Sequence, residues 1–114
     1  MERLLDPAIT VFTARGHSSL LGIGPIKRLD PHHAELKSMH VAETARGHGI
    51  GRAMLTHLLG VARAWGFRRV SLEMGTTAAF APARALCESA SFAPCGPFAE
   101  YQPSETNLFM TLDD

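Results

Sequence analysis

Arg46-Gly47-His48-Gly49-Ile50-Gly51 places three glycines at alternate positions, and no other stretch of this chain points so directly to chemistry. It follows a run of strand character, Ala34 to Val41, and opens an amphipathic stretch that reaches Trp65. The first N–H groups of a helix have no partner inside it, and the helix dipole adds partial positive charge at that end. Strand, glycine turn and helix in that order therefore build an anion site, suited above all to phosphate. Glycine lets a ligand come close to the backbone and allows positive φ. Two phosphate loops fail here. GxxxxGK[ST] needs a lysine and a Ser or Thr, and Gly47 to Arg52 contains none of these. GxGxxG matches at Gly47 and Gly49 but meets Arg52 at its third position, where helix-on-strand packing wants no side chain. The pattern R/Q-x-x-G-x-G/A fits fully, through Arg46, Gly49 and Gly51.

The elements that must hold this turn are legible from periodicity. Ile9 to Ala14 reads as a strand, Arg15-Gly16-His17-Ser18 as a turn, and Leu20 to Leu29 as a second strand. Gly22, Gly24 and Pro25 in that second strand point to a bulge or a sheet edge. Asp30-Pro31-His32-His33 is a further turn, and Ala34 to Val41 a third strand, which suggests an antiparallel meander. Ile50, Met54, Leu58, Ala62 and Trp65, flanked by Leu55 and Leu59, form a helical stripe that Gly66 ends. Val70, Leu72 and Met74 alternate in the next strand, which a helical crossover would set parallel to the third. Pro82 suits the first turn of a second helix ending near Ala90. Pro94, Pro97 and Pro103 predict a loop before a last strand at Leu108, Met110 and Leu112. The order is β-β-β-α-β-α-β in one domain spanning 1–114: an α/β fold whose mixed sheet is mostly antiparallel with one parallel pair.

Composition narrows the function class. The chain has 114 residues, 46% of them hydrophobic, and a formal net charge of zero with histidine neutral. No charge excess favours nucleic acid or an anionic membrane. No apolar run approaches the roughly 18–20 residues of a membrane span, and Met1 to Pro7 lacks signal-peptide character, so a cytoplasmic protein is expected. His17, His32, His33, His40, His48 and His57 show no metal-ligand spacing, and no metal is expected. Cys87 and Cys95 are expected to be free thiols.

Several segments in order resemble the GNAT family of N-acetyltransferases. Arg46, Gly49 and Gly51 match its acyl-CoA signature, and Glu35 to Val41 looks like its fourth strand. Ile50 to Gly66 resembles its third helix, and Arg68 to Gly75 its fifth strand. Ala81 to Phe92 is similar to its AxxLYxxxGF helix and turn. Gly96-Pro97-Phe98 with Tyr101, then Asn107 to Leu112, is similar to the closing segment of one bacterial subgroup. The resemblance implies a GNAT-like acyl-CoA N-acyltransferase fold, shortened at its N-terminus by a strand and two helices. It also implies acetyl-CoA as co-substrate and a small-molecule amine or peptide as acceptor, acetylated directly in a ternary complex. The bare sheet edge left by the missing front predicts a homodimer.

The resemblance also assigns roles. Arg46, Gly47, His48, Gly49, Ile50, Gly51 and Arg52 would cradle the pyrophosphate, and Met39, His40 and Val41 would line the pantetheine arm. Glu35, eleven residues before Arg46, matches the general base of some members, with Glu73 and His40 as other candidates. The family's tyrosine acid is replaced by Cys87 and the glycine of the following turn by Ser91. Tyr101, the single tyrosine, either lines the acceptor site or covers the core. Two other readings stay open on these residues: a non-catalytic CoA-binding or sensor module, and a structural dimer partner.

Overall fold

The computed structural model describes residues 9–16, 19–37, 40–41, 49–99 and 101–113. Seven strands form one mixed sheet: β1 (Ile9–Gly16), β2 (Ser19–Asp30), β3 (His33–Leu36), β4 (His40–Val41), β5 (Arg69–Gly75), β6 (Ala93–Cys95) and β7 (Asn107–Asp113). Along the sheet the order is β1-β2-β3-β5-β7-β6, with β4 added to β2. Every pair is antiparallel except β3 with β5. Among the described residues the helices are α1 (Ile50–Ala64) and α2 (Ala81–Ser89), with a 3-10 turn at Ala78–Phe80 before α2.

The antiparallel meander is present, but its third strand is two. β3 pairs with β2 as far as Ile26↔Leu36, whereas β4 pairs as Ile23↔His40, one residue out of step. Pro25 lies at the break. It has no N–H to give a ladder, and its carbonyl accepts from Lys37 N–H at 3.0 Å. β2 is also a central strand, with β1 on one side and β3 and β4 on the other. The expected bulge is found between Ala14↔Gly22 and Arg15↔Leu20. Gly24 has a different reason to be glycine: an added Cβ would lie 2.7 Å from Leu58 Cδ1 and 3.0 Å from Met54 Cε, so α1 packs where a side chain would stand.

Met54, Leu55, Leu58 and Ala62 are the buried face of α1. Leu55, Leu58 and Ala62 join Ile26, Ala34, Leu36, Val70, Leu72, Met74 and Met110 in one core cluster. Leu58 is 1% exposed, a burial that contributes about 1.5–3 kcal/mol. Trp65, placed on the stripe by periodicity, is instead 51% exposed and meets Phe12 with ring centroids 5.9 Å apart. It is the C-cap, one turn past the buried face. Gly66 ends the helix as expected: its φ is 90°, its N–H reaches Arg63 O, and Phe67 N–H reaches Ala62 O.

β6 falls where the prolines predicted only loop. Pro94 is tolerated because β6 is the outermost strand beside β7.

Candidate active site

β3 and β5 run side by side from His33↔Arg69 to Leu36↔Leu72 and then separate. β5 continues to Gly75, while β4 pairs only with β2 among the described residues. Past Leu36 and Leu72 the two strands share no further pairing among the described residues. Gly49 caps α1 with φ 76°, no side chain caps that end, and no acidic residue lies in the first turn. A Cβ on Gly49 would meet nothing within 4 Å. Helix N–H groups left without a side-chain cap fit a phosphate. Of the proposed cradle, Ile50 and Gly51 begin the helix, and Arg52 donates to Ser89 Oγ of α2 at 3.3 Å. Arg46, Gly47, His48 and Met39 lie outside the described residues. His40 and Val41 are described as β4 backbone.

Glu35, in β3, is 2% exposed. Tyr101 Oη donates to its Oε2 at 2.5 Å, and the Lys37 ammonium stands 3.5 Å from the same oxygen. Lys37 also donates to Tyr101 Oη at 3.3 Å. Burial, and then the bond to Glu35, push the Tyr101 hydroxyl well above its ordinary range, so it stays a proton donor at neutral pH. Phe98 and Phe109 flank Tyr101, with centroids 5.2 and 5.5 Å from its ring. Tyr101 therefore covers the sheet while its hydroxyl meets Glu35. Lys27, Glu35, Lys37, Ala99 and Tyr101 surround a cleft of about 250 Å³.

On the same face, His33 Nε2 and Ser71 Oγ are 2.7 Å apart, and Ser71 Oγ is 2.8 Å from Thr111 Oγ1. Phe98 also stands 5.8 Å from the His33 ring. Glu73 is engaged elsewhere, accepting from the Asn107 amide, and does not line the Glu35 cleft. Cys87 sits in the core cluster, 6% exposed, and burial pushes its thiol up to about 11. Cys87 and Cys95 are both free thiols. Among the described residues no group of His, Cys, Asp and Glu could hold a metal, and no helix is long and apolar enough to cross a membrane.

Sequence reasoning brought Glu35 and Tyr101 forward separately, and the fold joins them. It passed over Lys27 and the cleft-facing role of Lys37. The available signal was composition, for these are the chain's only lysines. Lys27 also stands opposite Glu35 in the β2–β3 register.

A profile described as the acetyltransferase (GNAT) family matches residues 2–92. The chain belongs to the GNAT family of acetyltransferases. It is 40% identical over 111 residues to the uncharacterised N-acetyltransferase YsnE of Bacillus subtilis (strain 168), covering 97% of this chain and 74% of that one. Among solved structures it is similar to one assigned as an acyl-CoA N-acyltransferase of Klebsiella pneumoniae. That match has a TM-score of 0.87 and 25% identity, over 96% of this chain and 76% of the other. A GNAT acetyltransferase of Elizabethkingia anophelis with acetyl-CoA bound shares the fold at TM-score 0.79 and 16% identity, over 93% of this chain and 76% of that one. As a GNAT protein the chain is an acyltransferase enzyme, and structures of this fold with acetyl-CoA or CoA bound support an acyl-CoA co-substrate.

Proposed function

We propose that this GNAT enzyme transfers the acetyl group of acetyl-CoA to a primary amine by direct attack, with Glu35 as the general base. The observation that carries the reading is a carboxylate only 2% exposed that still opens onto a cleft. Burying a charge is costly unless it is partnered. This carboxylate is partnered by a tyrosine hydroxyl and an ammonium and still lines a cleft where an amine can meet it. Glu35 takes a proton from the incoming ammonium, leaving a neutral amine. Tyr101, bonded to the same oxygen, fixes the carboxylate's orientation. Gly49, Ile50, Gly51 and Arg52, with Arg46, Gly47 and His48, would hold the pyrophosphate, and Met39, His40 and Val41 the pantetheine arm. Bound acetyl-CoA supplies the acyl group and leaves as the thiol. Holding both reactants together supplies much of the rate.

Cys87 enters as a question of proton supply to the departing sulfur. Its neutral thiol suits a donor, while its packing in the core suits a small hydrophobe. The same reading takes 1–114 as one domain that pairs as a homodimer through an edge strand, which sedimentation would test.

The deciding experiment is thiol release from acetyl-CoA across a panel of amines, with calorimetry of coenzyme binding alongside. Release with at least one amine, lost in Glu35→Gln at unchanged coenzyme affinity, supports the proposal. Binding without release for any amine would instead leave a CoA-binding module.

A further inference from the structure

In the proposed reaction Glu35 takes a proton from the incoming ammonium, and the departing sulfur must gain one. We infer that Tyr101 gives the sulfur its proton and regains it from Glu35, so that base and acid are the two ends of one hydrogen bond. The inference rests on Glu35 being the base of that reaction.

The attacked carbon locates the sulfur. Once the amine has added, nitrogen and sulfur are bonded to the same carbon, so a base within reach of one has the other beside it. Among the described residues, two proton donors of the cleft meet Glu35. They are the Tyr101 hydroxyl, 2.5 Å from Oε2, and the Lys37 ammonium, 3.5 Å from the same oxygen. Cys87 is not one of them: it is 6% exposed and packs in the core cluster.

The state of Glu35 decides when the tyrosine acts. An ionised carboxylate only accepts, so the Tyr101 O–H points at Oε2. A protonated carboxyl is itself a donor. A proton on Oε2 therefore reverses the bond, Glu35 donates to Oη, and the tyrosine proton is free to turn to the sulfur. Burial first, and Glu35 second, hold Tyr101 protonated before the reaction. Uptake of the amine's proton by Glu35 removes the second restraint. Lys37 donates to Oη at 3.3 Å and stabilises the negative charge that grows there as the proton leaves.

The protons balance. The ammonium gives one proton to Glu35, and the neutral amine forms the C–N bond. The C–S bond breaks with its electron pair on sulfur, Tyr101 protonates the sulfur, and Glu35 refills Tyr101. The second amine proton, lost as the amide forms, passes to the ionised Glu35 and out to solvent. The products are the amide, the free thiol and one proton.

The test compares acetyl-CoA with its oxygen ester, in which oxygen replaces the thioester sulfur. A thiol has a pKa of about 8.5, whereas an alkoxide resembles hydroxide, whose parent water has a pKa of about 15.7. The oxygen leaving group thus depends far more on a donated proton. Formation of the N-acetyl product is followed by mass spectrometry, with the fastest amine of the thiol-release panel. Tyr101→Phe is expected to lower kcat for the oxygen ester by about 10²–10⁴, with a loss about tenfold smaller for the thioester. A tyrosine that only orients Glu35 would cost both donors the same factor; that result overturns the inference and leaves Glu35 as base. Tyr101 is the chain's single tyrosine, so growth on 3-fluorotyrosine changes this ring alone. The stronger acid should raise the ratio of oxygen-ester to thioester kcat. An unchanged ratio overturns the inference even where Tyr101→Phe fails to fold. An excess loss on the oxygen ester in Lys37→Met, with none in Tyr101→Phe, would give the step to the ammonium and overturn it. No turnover of the oxygen ester by the wild type would overturn it too. Release from no amine at all, with coenzyme still bound, would bring down both this inference and Glu35 as base.

Discussion

Glu35, Tyr101 and Lys37 form a closed triangle in which each polar group meets the other two. Such an arrangement makes single deletions informative. Glu35→Gln keeps the shape and removes the base, so kcat should fall by about 10²–10⁴ with coenzyme affinity held, as read by steady-state kinetics and calorimetry. A matched fall in affinity and turnover would make Glu35 structural. Tyr101→Phe keeps the ring against Phe98 and Phe109 and removes the donor to Glu35. It should cost about 1 kcal/mol of stability and lower kcat more than it raises KM. A loss of stability alone, with kcat intact, would confine Tyr101 to covering the sheet. Sequence showed Glu35 by its offset from the glycine turn, and Tyr101 only as the lone tyrosine of a loop. Their meeting depends on a contact across 66 positions, and local periodicity carries no information about that.

At the scale of elements, the helix ends carry the sequence's departures from its family. In α2 the motif glycine is Ser91, and the fold still demands a left-handed residue there: φ is 77°, Ser91 N–H reaches Glu88 O, and Phe92 N–H reaches Cys87 O. A non-glycine residue in that region costs about 1–2 kcal/mol. Ser91→Gly should therefore raise stability by about 1 kcal/mol, visible as a higher urea midpoint at unchanged slope. No gain would mean that the serine side chain compensates for its backbone. Gly49 is the opposite case, a glycine at φ 76° with empty space around it. Gly49→Trp should abolish acetyl-CoA binding in calorimetry by filling the cradle, and survival of binding would move the coenzyme elsewhere. Gly49→Ala serves as control, costing about 1 kcal/mol of stability for its strained φ at far smaller loss of affinity. These ends were legible because glycine placement and helical period are local signals. The break between β3 and β4, and strand β6, were not. The first depends on Pro25 in the neighbouring strand withholding a donor. The second depends on an outer position that no pattern of side chains marks.

At the scale of the whole molecule, the sheet has two faces with different chemistry. Helices and aliphatic side chains cover one; Phe98, Tyr101 and Phe109 cover the other, over a layer of polar strand residues. That layer should tie stability to pH through His33. Its ring bonds Ser71, which bonds Thr111, and Phe98 stands above it. Burial is the main reason its pKa lies below the ordinary 6.5. Asp30, Asp113 and Glu35 oppose that shift, and Arg69 adds to it. The unfolded chain then binds a proton at a higher pH than the native one does. Above pH 6.5 the native state keeps its full stability; as pH falls below 6.5 toward the lowered native pKa, the unfolded state takes up the proton first and stability declines. Paired carboxylates add their own loss only below about pH 5. The thermal midpoint should therefore begin to fall in the window just below pH 6.5, and His33→Gln should flatten that window while leaving the acid limb in place. An identical slope in wild type and His33→Gln would remove His33 as its source. A midpoint that rises as pH falls through the window would contradict the burial of this ring beneath Phe98, and with it the packing that positions Tyr101 on Glu35.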